Sequence, residues 1–215
     1  MSHTIYKVND KRVKSVTTII NAQMAWNKQV LIGWTRKNCL NGDDSMAIMK
    51  DAGKTGTLAH TMIESFMTGG SVQLDGFTPS QISQAKTAYY GYLDWKEKNK
   101  DIGIIANELK LVSNKLLFGG TIDCIFVRNK KHYLLDFKTS NHCHDEYIVQ
   151  LAAYSKLYEE NYGIKIHGGI ILKLDKDEKG YTEYVIKQKD INWGWKIFKV
   201  LLRLQNYQNN RSYKW

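Results

Sequence analysis

A single proline, Pro79, and three cysteines, Cys39, Cys124 and Cys143, stand among 215 residues. That scarcity of proline sets the chain apart from collagen-like and proline-rich disordered classes. The cysteines are far apart and form no C-x-x-C pair. This argues against a structural zinc site or an iron–sulfur cluster and suits a reducing compartment. No apolar run approaches the roughly 18 residues of a membrane span. The start, Met1-Ser2-His3-Thr4, also lacks the charged-then-apolar pattern of a secretory leader. The expectation is a soluble protein of the cytoplasm, or of the host cytoplasm if the chain is viral, with no membrane partner and no iron–sulfur cluster.

Acidic residues are also few: 21 Asp and Glu face 31 Lys and Arg, for a net charge of +10. A basic excess of this size favours a polyanionic partner, of which nucleic acid is the commonest. Protein partners stay unassigned. Hydrophobic residues make up 43% of the chain, enough apolar surface to offset the entropy of ordering a domain of ordinary size. With no internal repeat, low-complexity tract or long linker, residues 1–215 read as one domain. Its first hundred residues are mainly helical, and residues 101–215 form a sheet core with flanking helices.

After a short extended start, Ser15 can cap a first helix, and a second lies around Trp26–Lys37. A third runs from Thr55 to Met67. A fourth starts at Pro79-Ser80 and gathers Ile82, Ala85, Tyr89, Tyr92 and Trp95 near one face. The pattern then changes. Glu108–Val112, Leu116–Val127 and Tyr133–Thr139 carry alternating or continuous apolar residues between Asn-Lys turns, which predicts an antiparallel meander. A helix from His144 to Tyr162 ends at Gly163, strands follow at Lys165–Leu174 and Tyr181–Lys187, and Asp190 can cap a last helix.

Two carboxylates interrupt the apolar strands, in Gly119-Gly120-Thr121-Ile122-Asp123 and in Leu134-Leu135-Asp136-Phe137-Lys138-Thr139. A hairpin turn centred on Asn129-Lys130 places Arg128 opposite Lys131 and, by continuation, Asp123 opposite Asp136. Cross-strand Cβ atoms lie roughly 4.5–5.5 Å apart, and like charges at that separation are destabilising unless a cation sits between them. Alternation puts Lys138 on the face of Asp136 and Phe137 on the other. Oxygen ligands beside one lysine suit Mg2+ or Mn2+ with water and a phosphate. A turn at Asn114-Lys115 would oppose Glu108 to Thr121 and bring a third carboxylate to the face of Asp123. The competing reading is a pair of solvated carboxylates on an edge hairpin. Asp-x-Lys alone carries no information, since Asp94-Trp95-Lys96 and Asp177-Glu178-Lys179 also occur.

Other groups stay open on the residues alone. His60 and Glu64 share a helix face, yet a lone helical histidine is commonly a solvated one. Gln150 and Tyr154 are also four apart on a helix, as an interfacial polar pair or as groups that face a nucleic-acid backbone. His142-Cys143-His144 reads as a loop, because adjacent residues of a regular strand cannot all face one ion. From Lys187 onward seven Lys and Arg accompany one acid, interleaved with Trp193, Trp195, Phe198, Tyr207, Tyr213 and Trp215. Trp195, Phe198, Leu202 and Trp193 fit the buried face of an amphipathic helix, which leaves only the last few residues as base-stacking groups.

Taken in order, the pieces Ser15-Val16-Thr17-Thr18-Ile19-Ile20, Gly56…His60, Glu108, Gly120…Asp123, Asp136-Phe137-Lys138-Thr139 and Gln150…Tyr154 resemble the PD-(D/E)XK nuclease superfamily. The likeness is to its RecB-like branch, which includes phage exonucleases and the mitochondrial genome-maintenance exonuclease, and it covers roughly residues 15–160. It implies an α/β, restriction-endonuclease-like fold, a mixed central sheet flanked by helices with a helical N-terminal part. It also implies a divalent metal held by His60, Asp123, Asp136 and the backbone carbonyl of Phe137. Lys138 would act on the attacking water and the phosphate, and Gln150 and Tyr154 would position the strand or support the site. Related enzymes with an iron–sulfur cluster use four cysteines, which this chain does not have. The implied function is a Mg2+- or Mn2+-dependent deoxyribonuclease. An exonuclease is favoured over a sequence-specific endonuclease because no extra domain is available to read bases. Its setting would be DNA recombination, repair or replication, with a phage origin in keeping with the small size. The rivals are a non-cutting nucleic-acid-binding module of the same fold and a nuclease for RNA or branched DNA.

Overall fold

The computed structural model describes residues 4–24, 28–140 and 142–210, with no side-chain description for 209 and 210. Trp26, Tyr213 and Trp215 fall outside these residues. In chain order the elements are β1 (Tyr6–Val8), β2 (Lys11–Ser15), α1 (Val16–Gln23), α2 (Lys28–Leu40), α3 (Ser45–Thr68), α4 (Pro79–Lys98), β3 (Gly103–Ser113), β4 (Phe118–Arg128), β5 (Lys131–Lys138), α5 (Asp145–Tyr162), β6 (Ile166–Leu174), β7 (Tyr181–Lys187) and α6 (Gln188–Asn210). The seven strands form one mixed sheet in the order β1-β2-β4-β5-β6-β7, with β3 also paired to β4. The predicted mixed sheet flanked by helices is therefore the architecture found. Among the described residues no helix is long and apolar enough to cross a membrane.

Local chemistry accounts for most boundaries. The Thr18 amide donates to Ser15 Oγ at 3.0 Å and starts α1. Thr78 and Gln81 form a reciprocal capping box ahead of Pro79 at the start of α4. Gly69 and Gly163 close α3 and α5 in the left-handed conformation. Asn129 and Lys130 both have positive φ, the requirement of the two-residue type I′ hairpin turn that joins β4 to β5. Asn9 and Asp10 do the same between β1 and β2, a hairpin that the sequence reading reduced to an extended start.

Three other expectations need correction. Helix α3 begins at Ser45, ten residues before Thr55, because Asp44 accepts hydrogen bonds from the Met46 and Ala47 amides and caps it. Asp190 lies in the first turn of α6 and accepts from the Lys187 amide at 2.9 Å, so it reaches back and is not the cap residue itself. Trp193 is 40% exposed, whereas Phe198 and Leu202 are buried as read.

Two apolar layers sandwich the sheet. On one face α1, α5 and α6 pack Val16, Ile19, Leu151 and Phe198 against Phe118, Ile122 and Leu134. On the other, α3 and α4 pack Leu58, Ile63, Tyr92 and Trp95 against Phe126, Leu135 and Phe137. Leu134 and Leu135 thus face opposite layers, as strand alternation requires.

Candidate active site

Strand β4 is covered unequally on its two edges. β3 pairs along it from Phe118 to Val127. The other edge is shared: β5 pairs with Cys124–Arg128, and β2 pairs with Phe118 and Gly119. Between those two partners, at residues 120–123, that edge of β4 is free of a strand. The side chains singled out in the sequence converge on this gap.

The β4–β5 register is the one read from Asn129-Lys130. Arg128 pairs with Lys131, and the ladder runs to Cys124 opposite Leu135, one step short of Asp123 and Asp136. There the strands part, and Asp123 Oδ2 accepts the Phe137 amide at 2.9 Å in place of a ladder bond. Glu108 requires a correction. The β3–β4 turn spans Asn114–Leu117, so Lys110, not Glu108, lies opposite Thr121. Leu109 pairs with Ile122 and Asn107 with Cys124, which leaves Glu108 facing Asp123 itself. The shift is two residues, so the face was preserved. Glu108 has φ of 47°.

Helix α3 delivers His60. A Cβ on Gly56 would lie 2.9 Å from Thr139 Oγ1, so glycine there lets the helix approach the end of β5. One turn on, His60 Nδ1 is 3.6 Å from Asp123 Oδ2, and its ring meets Phe137 edge-on at 5.8 Å between centroids. One ligand atom from each of His60, Glu108 and Asp123 lies within 4.8 Å of the others. Burial, then the Lys138 charge, lowers the His60 pKa to about 4, against the opposing influence of Asp136 and a hydrogen bond with the Phe137 backbone. His60 is therefore neutral near pH 7, and its approach to Asp123 is not an ion pair. A neutral imidazole is the ligand form of histidine.

Asp136 and Lys138 form a buried ion pair on one face of β5. Asp136 is 2% exposed, and beyond that ion pair neither carboxylate oxygen has a hydrogen-bond partner. Burial raises the Asp136 pKa to about 6, with Asp123 adding to the rise and Lys138 opposing it. Burial likewise raises Asp123, against Lys138 and the Phe137 amide. Glu108 is pushed up to about 7 by burial, Asp123 and Glu64. For Lys138 burial acts downward, but the charges of Asp136 and Asp123 outweigh it and hold the ammonium above its ordinary value.

Tyr154 is buried, accepts a hydrogen bond from Gln150 Nε2 at 2.9 Å, and is shifted upward by burial and by the charges of Asp136 and Asp123. Its ring occupies the space above Gly120, where a Cβ would come within 2.6 Å. Buried in this way, the phenol fills the α5 side of the sheet, near enough for the charges of Asp136 and Asp123 to act on it. Gly119 is spared a side chain for a parallel reason: the Tyr6 ring lies 2.5 Å from where its Cβ would be.

Tyr6, Tyr147 and Glu64 join the site without having been identified as site residues. The Tyr6 and Thr121 hydroxyls are hydrogen-bonded at 2.7 Å beside Glu108. The Tyr147 ring lies 5.0 Å from Lys138 Nζ, and its hydroxyl donates to Ser140 at 3.0 Å. Spacing could have suggested Tyr147, one turn before the Gln150–Tyr154 pair, while Glu64 is the residue already noted on the helix face of His60. Nothing local marks Tyr6. His142, Cys143 and His144 sit in the loop before α5 and join no group of potential ligands among the described residues.

The donor set fits a hard divalent cation. One neutral imidazole nitrogen and carboxylate oxygens suit Mg2+ or Mn2+. When Glu108, Asp123 and Asp136 are ionised, three carboxylates face one ammonium, Lys138, and two negative charges remain. The carboxyl oxygens of Asp136 that lack hydrogen bonds point to the same need.

No family model and no curated protein matches the chain. Among solved structures it is similar to a candidate exonuclease from Eubacterium rectale, at 13% identity and TM-score 0.49, over 75% of this chain and 76% of that one. It is also similar to the alkaline exonuclease of Laribacter hongkongensis, at 14% identity and TM-score 0.36, over 68% of this chain and 79% of that one. The same exonuclease in complex with dAMP is 12% identical, with TM-score 0.36, over 69% of this chain and 79% of that one. Likenesses this weak do not establish a shared activity, so the functional reading rests on the side chains in the gap.

Proposed function

We propose that the chain is a metal-dependent deoxyribonuclease of the PD-(D/E)XK type that hydrolyses phosphodiester bonds, acting as an exonuclease on DNA ends or single strands. The observation that carries this reading is the juxtaposition of a buried Asp136–Lys138 pair with the His60–Glu108–Asp123 cluster, in the strand-free gap of a protein of net charge +10. His60, Glu108 and Asp123 would hold Mg2+ or Mn2+, with Asp136 and the Phe137 carbonyl as the further ligands that the superfamily resemblance implies. When bound, such an ion supplies an activated water and charge neutralisation at the scissile phosphate.

The remaining steps belong to the chain. Lys138, kept protonated by Asp136 and Asp123, offsets charge that builds on the phosphate oxygens. Asp136, with a pKa of about 6, is ionised at neutral pH and orients the water through its free acceptor sites. Tyr147 and Tyr154 limit the freedom of Lys138 and of the carboxylates. Lysines and arginines elsewhere on the surface supply salt-dependent, sequence-independent affinity for phosphates. Recombination, repair or replication of DNA is the setting this chemistry serves.

End-labelled single-stranded, duplex and branched DNA, with an RNA control, incubated with Mg2+, Mn2+ or EDTA, tests the reading. Shortening of labelled DNA from an end, with metal and not with EDTA, is expected. Binding without cleavage under every metal condition would assign the non-cutting role. Cleavage of RNA alone would transfer the chemistry to another substrate.

A further inference from the structure

The free edge of β4 continues into a second feature. β2 lies on that edge just past the gap, with Lys14 opposite Phe118 and Ser15 opposite Gly119. Beside β2 is a cavity of about 460 Å3 between the β1–β2 hairpin and the end of α6, with Lys11, Arg12 and Lys14 in its wall. Asn9, Gln205 and Asn206 add amides, and no acidic residue lines it. The three cations are exposed and have no ion-pair partner among the described residues. Over residues 7–14 four basic side chains accompany one acid, Asp10.

Other cavities near the sheet differ in sign. The one at Thr139 and Ser140 has three acids, Asp175, Asp177 and Glu178, against one lysine, Lys176, in its wall. The one beside α5 has two lysines, but Glu159 sits in its wall and pairs with Lys156. A polyanion that leaves the gap past Thr139 meets an excess of carboxylates, and one that leaves past β2 meets cations with no ion-pair partner among the described residues. Five residues of β4 separate Asp123 from Phe118. At about 3.3 Å per residue this is about 16 Å, the reach of roughly five phosphates of a stacked strand.

We propose that the DNA strand held in the gap runs out across the β1–β2 hairpin, where Lys11, Arg12 and Lys14 bind its phosphates several nucleotides from the bond that is cut. The inference rests on the nuclease reading and adds the direction in which the substrate lies. Amides and cations with no aromatic platform in the wall read the backbone and not the bases.

The test is the double substitution Arg12→Gln and Lys14→Gln in the full chain, with thermal unfolding as the check on folding. Single strands of about 4 and about 20 nucleotides are compared as substrates, together with fluorescence anisotropy of the longer one in EDTA. Expected are a KM for the long strand raised about tenfold with kcat unchanged, unaltered cleavage of the short strand, and a shallower salt dependence of binding. Loss of two phosphate contacts lowers that slope by about 1.4. An active parent whose variant handles both lengths alike, with the same salt slope, overturns the track. Equal slowing on both lengths also overturns it, because the residues would then act on the reacting centre. Tight binding of thymidine monophosphate, lost in the variant while long-strand binding persists, overturns it in favour of a nucleotide pocket. Should the parent cut nothing, the anisotropy still reads the groove, so failure of the nuclease reading and failure of the track are separable.

Discussion

Asp123 and Asp136 are neighbours on adjoining strands, yet their surroundings are opposite. Asp136 has a cation of its own two residues along the strand and is sealed under the α5 layer, 2% exposed. Asp123 is held by the Phe137 amide and feels the Lys138 charge without pairing with it, and its near neighbours are a neutral His60 and a second carboxylate, Glu108. On the proposed nuclease reading, the difference divides the labour of the site. The Asp123 side would take a cation from solution, with Asp136 as a further ligand. Lys138, paired with Asp136, would meet the charge that appears during reaction. Symmetric carboxylates would bind metal but leave no ammonium for the phosphate.

Several substitutions would break or sharpen that contrast. Asp123→Ala is expected to have the largest effect, abolishing both Mn2+ uptake in titration calorimetry and cleavage, while circular dichroism stays that of the parent. Lys138→Ala should separate the two sides: Mn2+ binding and DNA binding persist, and kcat falls about 100- to 1,000-fold, the scale seen when one transition-state donor is removed. If Lys138→Ala or Asp136→Ala cut DNA like the parent, the assigned chemistry is wrong.

Protons offer a gentler probe. In the metal-free protein Glu108 titrates at about 7 against an ordinary 4.5, and Asp136 at about 6 against 3.8. The folded state therefore keeps two protons that the unfolded chain has released, while His60, held at about 4 against 6.5, has lost one that the unfolded chain keeps, so stability falls less steeply than the two acids alone would give as pH rises through that interval. The melting temperature in EDTA should drop between about pH 4 and 7 and level off above. Glu108→Gln should flatten the upper part of the drop, and saturating Mn2+ should reverse it. An apo melting curve independent of pH over this range would contradict the burial assigned to at least one of the two acids, since His60 offsets only one of them.

Packing behind the carboxylates is expected to have the smallest effect. Gly120→Ala sets a methyl group against Tyr154, at a cost of about 1–3 kcal/mol typical of overpacking. Chemical denaturation would report it. Pairing with Tyr154→Phe, which leaves the ring in place, should not relieve the cost.

Much of this site was legible from residue types and turns. Asn129 and Lys130 define a two-residue turn, and from it the register that brings Asp123 to the level of Asp136 follows by counting. The face shared by Asp136 and Lys138 follows from alternation alone. Glu108 was placed two residues away from its true partner because Asn114–Leu117 is a longer loop whose extent no single residue advertises. The first three turns of α3 were not predicted, although Asp44 caps them through the Met46 and Ala47 amides, and Gly56, within the predicted part, permits the close approach to Thr139. Tyr6 was invisible, since its place beside Glu108 depends on β1 lying across Gly119.

By itself the amino-acid order determined the run of helices and strands from α4 onward, the β4–β5 pairing and the company of Asp136 and Lys138, all of which depend on periodic patterning and on cap and turn residues close along the chain. Only the tertiary structure decided that β2 and β5 stop short of each other on one edge of β4, that His60 approaches Asp123 there, and that Lys11, Arg12 and Lys14, without ion-pair partners among the described residues, lie beyond β2. Those features join segments distant in sequence through packing of rings onto glycines and of a helix onto a strand end. Such contacts leave no periodic trace in the chain.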